Sequence, residues 1–218
     1  MSAAEWKKKC EEEWSLQSAP MPDGLDWKSV YEAKPFGRNL LMNPAPYGLS
    51  KDIPPPEPEL PAVPDRGPPR FQPDGNFTGW TTNSEVLPYD TSGIPEVSIT
   101  LVCAEGLWDE LLDEFQPEIA IQDWYEESQL HDSIYQLHVK LLGADKNTVI
   151  SEHTVNPTEQ RLVYSHEWKE VSHVFSGYGP GVRYVHFLHR LKNSFLNGFH
   201  NTQFTGSAVI VRPSKSSP

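Results

Sequence analysis

Beyond about residue 76 the chain is built from short stretches in which every second residue is apolar, and this period of two constrains the fold more than any other feature. Val97, Ile99, Leu101 and Cys103 alternate with Ser98, Thr100 and Val102. Tyr135, Leu137, Val139 and Leu141 alternate with Gln136, His138 and Lys140. Successive side chains of a strand point to opposite faces, so each stretch is a strand with one buried face. Ile119–Tyr125, Val149–Val155, Trp168–Phe175, Val182–His189 and Ser207–Val211 add further candidates. Many short strands with turn residues between them predict an all-β sandwich or barrel. One segment departs from the pattern. Leu107, Leu111, Leu112 and Phe115 have helical spacing, which predicts one or two helical turns over 106–115, stopped by Pro117.

The N-terminal part has a different character. Of 21 prolines, 14 lie in residues 1–75. Residues 1–37 read as an arm with short helices. Trp6, Cys10 and Trp14 share a face, and Lys7–Lys9 stand four residues before Glu11–Glu13, which predicts three ion pairs in the weaker Lys-before-Glu order. So short a helix needs a surface for its tryptophans, supplied by its own domain or by a partner; otherwise it is an unstructured tail. Asp26–Glu32 predicts a second short turn ended by Pro35. Residues 51–73 form a Pro-rich insertion, within which Pro55, Pro58, Pro61 and Pro64 recur every third residue. That spacing lines one edge of a polyproline II helix. It reads as a stiff solvated loop or as a ligand for an SH3- or WW-type reader.

Charge excludes several functions. The net charge is −12, and no Lys or Arg occurs between Arg70 and Lys140. Nucleic-acid binding needs clustered cations, so nucleic acid is not an expected partner. Membrane insertion is not expected either, because the longest apolar runs fall far short of a span. The opening residues carry charge where a secretory leader would be apolar, and Cys10 and Cys103 are too few for a disulfide scaffold. The expected location is therefore cytoplasmic, with reduced thiols.

No arrangement of residues argues for catalysis. A G-x-S-x-G elbow, a C-x-x-C pair and a phosphate-cradling glycine loop are all missing, and no cofactor is expected. His186 and His189 are three apart in a predicted strand, on opposite faces, so no metal site is expected. Nine carboxylates crowd Glu105–Glu127 without a calcium-loop pattern. They read first as a solvated face complementing residues 140–218, which hold 9 Lys+Arg against 5 Asp+Glu. A cation or basic-partner site and a hydrolase pair are the alternatives.

Five motifs in order point to a family. Asn39-Leu40-Leu41-Met42-Asn43-Pro44 comes first, followed by Ala104-Glu105-Gly106-Leu107-Trp108-Asp109-Glu110-Leu111-Leu112-Asp113. Asp123-Trp124-Tyr125, Val171-Ser172-His173-Val174-Phe175 and Gly179-Pro180-Gly181-Val182-Arg183-Tyr184-Val185-His186-Phe187 complete the series. Together they resemble the F-box-associated domain over residues 38–212, followed by a tail at 213–218. The resemblance implies a jelly-roll β-sandwich of about ten antiparallel strands, similar to galactose-binding domains, that binds and does not catalyse. In sugar-recognising relatives the loops at one end grip the inner chitobiose of N-glycans, and an F-box docks the protein to an SCF ubiquitin ligase in glycoprotein degradation. Here no L-P-x-E-[LI] F-box start precedes the domain. Phe195-Leu196-Asn197 stand where those relatives read Tyr-Trp-Lys, and Leu130 and Asp132 fall near their sugar-binding Asp.

The resemblance thus implies a protein or glycoprotein ligand at loops 126–133 and 193–201, with Phe195, Leu196, Asn197, Leu130 and Asp132 at the rim. Trp108, Trp124 and Phe187 are assigned to the core. The alternatives are a substrate-recognition subunit engaging SCF components, or an innate cytotoxic-cell antigen receptor held at the surface without a spanning helix.

Overall fold

A computed structural model describes residues 1–55, 75–83, 96–102, 106–126, 133–157, 167–193 and 202–213. Eight strands are described, against the ten or so expected: β1 (Thr81–Asn83), β2 (Glu96–Val102), β3 (Glu118–Tyr125), β4 (Ser133–Leu142), β5 (Val149–Val155), β6 (Lys169–Phe175), β7 (Tyr184–Asn193) and β8 (Phe204–Arg212). They form two antiparallel sheets, ordered β1-β2-β7-β4-β5 and β6-β3-β8. The expected antiparallel sandwich is what the chain forms.

Register explains why. Ile99, Phe187 and Val139 sit side by side across β2, β7 and β4, and Ile121 sits between His173 and Val209 across β6, β3 and β8. Each sheet therefore presents an apolar row to the other. Leu137, Val139, Leu141, Val185, Phe187 and Leu191 meet Ile119, Ile121, Phe175, Val209 and Val211 in one core. Outward rows stay polar, as where Glu96 pairs with Arg190 at 3.3 Å.

Residues 1–37 close one end of this sandwich. Helix α1 (Ala3–Glu13) starts at a capping box made by Ser2 and Glu5, and α2 (Trp27–Ala33) is capped by Asp26. The Trp6/Cys10/Trp14 face docks on the chain itself: Cys10 is fully buried, and Trp6 and Trp14 lie 5.4 and 5.8 Å from Tyr31. Burial pushes the Cys10 thiol up to about 11, so it is an inert core group. Cys103 lies outside the described residues.

Of the three expected helix ion pairs only Lys8–Glu12 forms, at 3.7 Å. Lys7 reaches Asp23 at 2.6 Å, and Lys9 sits 4.2 Å above the Tyr31 ring. Lys-before-Glu pairs are weak, and these tertiary partners outcompete them.

The segment between β2 and β3 completes the same end. The predicted helical turn is a π-helical turn over Leu111–Phe115, ended by left-handed Gln116 ahead of Pro117. Trp108 meets Trp27 edge-on at 5.0 Å, and its indole N–H donates to the Pro20 carbonyl at 2.7 Å. Gly106 has φ +84°, and a Cβ there would lie 2.8 Å from the Ala33 Cβ, so helix α2 packs directly on glycine backbone. Asp113 takes a two-pronged ion pair from Arg183, at 2.8 and 2.9 Å, while Asp109 accepts from the same guanidinium at 3.1 Å. The crowded carboxylates are thus partly matched by a cation from the basic half of the chain.

Two readings need adjustment. Trp124 is not a core residue. It is half-buried on the outer face of β3, with Lys51 Nζ 5.4 Å above its ring, because the alternation from Ile119 and Ile121 turns Asp123 inward instead. Pro55, the first proline of the spaced run, is buried in the fold; Pro58, Pro61 and Pro64 lie outside the described residues.

Candidate functional site

Register brings the termini of β3, β4, β7 and β8 together at the end of the sandwich opposite the helices. Strand β3 leaves this end at Tyr125 and β4 returns at Ser133; β7 leaves at Asn193 and β8 returns at Phe204. Ser133 is the register partner of Asn193, and Tyr125 that of Phe204. The Glu126 amide donates to the Gln203 carbonyl at 3.0 Å, extending the β3–β8 pairing one step past the strands. Two of the connections at this end, 127–132 and 194–201, therefore start from neighbouring backbones. Leu130, Asp132, Phe195, Leu196 and Asn197 all fall in these connections, outside the described residues.

Beneath the four termini lies a buried polar cluster centred on Asp123, which is 0% exposed. Its carboxylate accepts from the Tyr135 hydroxyl at 2.6 Å and the Ser207 hydroxyl at 2.6 Å. The His189 Nε2 meets it at 2.8 Å. The four residues come from β3, β4, β7 and β8, two from each sheet, so one carboxylate ties the sheets together across the core. Charge-assisted bonds of this kind are directional and strong in a dry interior. Burial and then the neighbouring Asp123 charge hold the Tyr135 phenol well above its usual pKa, which keeps it a donor.

Aromatic rings fill the space around the cluster. His189 stacks on Phe204 with centroids 3.6 Å apart, and Trp80 leans on both rings. Tyr125 stacks on Tyr135 at 4.0 Å, which fixes the ring whose hydroxyl reaches Asp123. Tyr47 meets Phe204 edge-on at 5.4 Å, and burial raises the pKa of its phenol.

This cluster contains Ser, His and Asp but lacks the geometry of a nucleophilic triad. Ser207 bonds Asp123 and not the histidine, and all members are sealed from solvent. Its bonds join β3 to β4, β7 and β8 near the ends of those strands. Among the described residues, no group of three or more His, Cys, Asp or Glu side chains could hold a metal ion, and His186 and His189 point to opposite faces: His186 Nδ1 meets Thr100 Oγ1 on the outer side at 2.9 Å. Among the described residues no helix is long and apolar enough to cross a membrane.

The sequence motifs included Asp123 without revealing its place in the core. The signal was present: Ile119, Ile121, Asp123 and Tyr125 keep one parity, as do Val185, Phe187, His189 and Leu191. Reading polar letters at inward parity would have found two members of the cluster.

The family model for the F-box associated region matches residues 31–211. "F-box only protein 50" of Danio rerio is 59% identical, over 99% of both chains. The human "F-box only protein 50" is 41% identical over 92% of this chain and 72% of that protein. "F-box only protein 6" of Bos taurus is 31% identical over 94% of this chain and 77% of that one. Given the family match over most of its length and this likeness along nearly the whole sequence, the chain belongs to the F-box-associated family.

Proposed function

We propose that the chain is a non-enzymatic binding module that offers connections 127–132 and 194–201 to a protein or glycoprotein ligand. The observation behind this reading is the Asp123 cluster. It rigidly spaces the four strand ends from which those connections spring, and a rigid scaffold carrying variable connections is how binding folds are built. Phe195, Leu196, Asn197, Leu130 and Asp132 are the proposed contacts, Phe195 offering an aromatic face for a sugar ring or an apolar side chain. The proposed location is cytoplasmic.

A glycan array and affinity capture with the full chain test this directly. Phe195→Ala with Leu196→Ala is expected to weaken binding by about tenfold or more, or ~1.4 kcal/mol, with an unchanged unfolding midpoint. A flat array removes the glycan version. Undiminished capture of the same protein by the double variant removes the loop assignment.

The names of the relatives favour a second reading, in which the module is the substrate-recognition part of an SCF-type ubiquitin ligase. Co-purification with the ligase adaptor and cullin tests it. Their absence, under conditions where an F-box-bearing relative captures both, overturns it.

A further inference from the structure

The two sheets also meet along one side, where edge strand β5 of the larger sheet faces edge strand β6 of the smaller. There His153 and His173 lie face to face, with centroids 3.8 Å apart and planes within 2° of parallel. Phe175 closes edge-on against His173 at 4.7 Å. Both imidazoles are half-buried. His153 is the register partner of Val139 on β4, and His173 that of Ile121 on β3, so aliphatic side chains wall the pair on both flanks.

We infer that this stacked imidazole pair is an acid-sensitive seam, closed while the rings are neutral and pushed open when they charge. Neutral rings at this spacing attract by dispersion and exclude water. Two imidazolium ions at the same spacing repel by far more than thermal energy in a half-buried site. Parallel stacking also aims the ring lone pairs alongside each other and not at a common point, so the pair does not form a metal site as it stands.

Among the described residues, the surrounding charges offer no relief. On β5, Glu152 turns to the outer face and meets His138 of β4 at 2.7 Å. Lys140 of β4 takes the same outward parity, leaving Leu137, Val139 and Leu141 inward. On β6, Glu170 faces outward and bonds Gln122 of β3, while Lys169, at inward parity, adds positive charge. On β3, the inward carboxylate is Asp123, already engaged by Tyr135, His189 and Ser207. Consistent with this, burial first and His173 second hold His153 below the ordinary imidazole pKa.

The sign follows from linkage. A histidine with a lowered folded pKa binds more protons when unfolded. The seam is therefore fully stable above the unfolded value of about 6.5 and loses stability as pH falls through it toward the folded value.

Hydrogen exchange of the full chain at about pH 7.5 and about pH 5.5, corrected for intrinsic rates, tests the seam across the histidine range. The expected result is a roughly tenfold rise in opening of β5 and β6 at the acid pH, with β2 and β7 unchanged, and loss of that step in His153→Phe, which keeps a ring face but cannot titrate. An equal acid step in His153→Phe, or no step in the unmodified chain, overturns the inference. Should His153→Phe not fold, NMR titration of the unmodified chain decides. A two-step curve for His153 supports the seam, and a simple single-step curve for His153 overturns it.

Discussion

At one end of the sandwich the chain closes with aromatic rings; at the other, four strand ends are tied by one buried carboxylate. The helical end is sealed by Trp27 on Trp108, by Trp6 and Trp14 around Tyr31, and by the fully buried Cys10 and Leu16. The connection end has Tyr135, His189 and Ser207 converging on Asp123. Hydrophobic closure is non-directional, so it stabilises an end without dictating where each backbone sits to a fraction of an ångström. Hydrogen bonds to a carboxylate are directional, so they set the spacing of the strands that carry them. The difference assigns non-directional closure to the helical end and fixed strand spacing to the connection end, which is where a binding surface needs it.

Four substitutions test that contrast, in falling order of expected effect. Asp123→Ala leaves Tyr135, His189 and Ser207 without their acceptor in a dry core and is expected to cost about 4–5 kcal/mol, read by urea unfolding. A cost under about 1 kcal/mol would show that the cluster is not holding the two sheets together. Trp108→Ala removes the edge-on contact with Trp27 and the bond to Pro20, for about 3–4 kcal/mol. Limited proteolysis of this variant is expected to cut first within residues 1–37; first cuts elsewhere would separate the helices from the sandwich's own stability.

Gly106→Ala puts a Cβ within 2.8 Å of Ala33 at a left-handed φ, for about 2 kcal/mol by thermal unfolding, because two backbones must move apart. Arg183→Ala is the mildest, about 1–2 kcal/mol after allowing for partial exposure of the pair. It carries a pH signature. The hydrogen bond from Arg183 holds the Asp113 carboxyl below its usual range, so the pair contributes stability above the unfolded value, near 3.9, and loses it as pH falls below that. Acid unfolding curves of the chain and of Arg183→Ala should therefore converge below about pH 4; parallel curves would show that the Arg183 contribution does not depend on the Asp113 charge.

Much of the fold was legible because strand periodicity is local. The alternation of Tyr135 to Leu141 and of Val97 to Leu101 predicted both the strands and their buried faces. The Trp6/Cys10/Trp14 face predicted a short helix that needs a surface for its tryptophans, and left open whether its own domain, a partner or nothing supplies one. The ion pairs of α1 were misread because Asp23 and the Tyr31 ring come close only after the chain folds back on itself. Trp124 was misread for a related reason. A large aromatic in a motif suggests a core, but parity along β3 gives the inward position to Asp123, and a charged residue there makes sense only once its three partners are present.

The sequence by itself determined the antiparallel strands, the apolar rows, the caps of α1 and α2, and the family, since each depends on residues adjacent in the chain or on short motifs. Only the tertiary structure decided that Asp123, Tyr135, His189 and Ser207 share one hydrogen-bond network, and that His153 stacks on His173. These residues lie 12 to 84 positions from Asp123, in the first case, and on edge strands of different sheets, in the second. No local pattern encodes such pairings, because they follow from how two sheets, each satisfied within itself, are laid face to face.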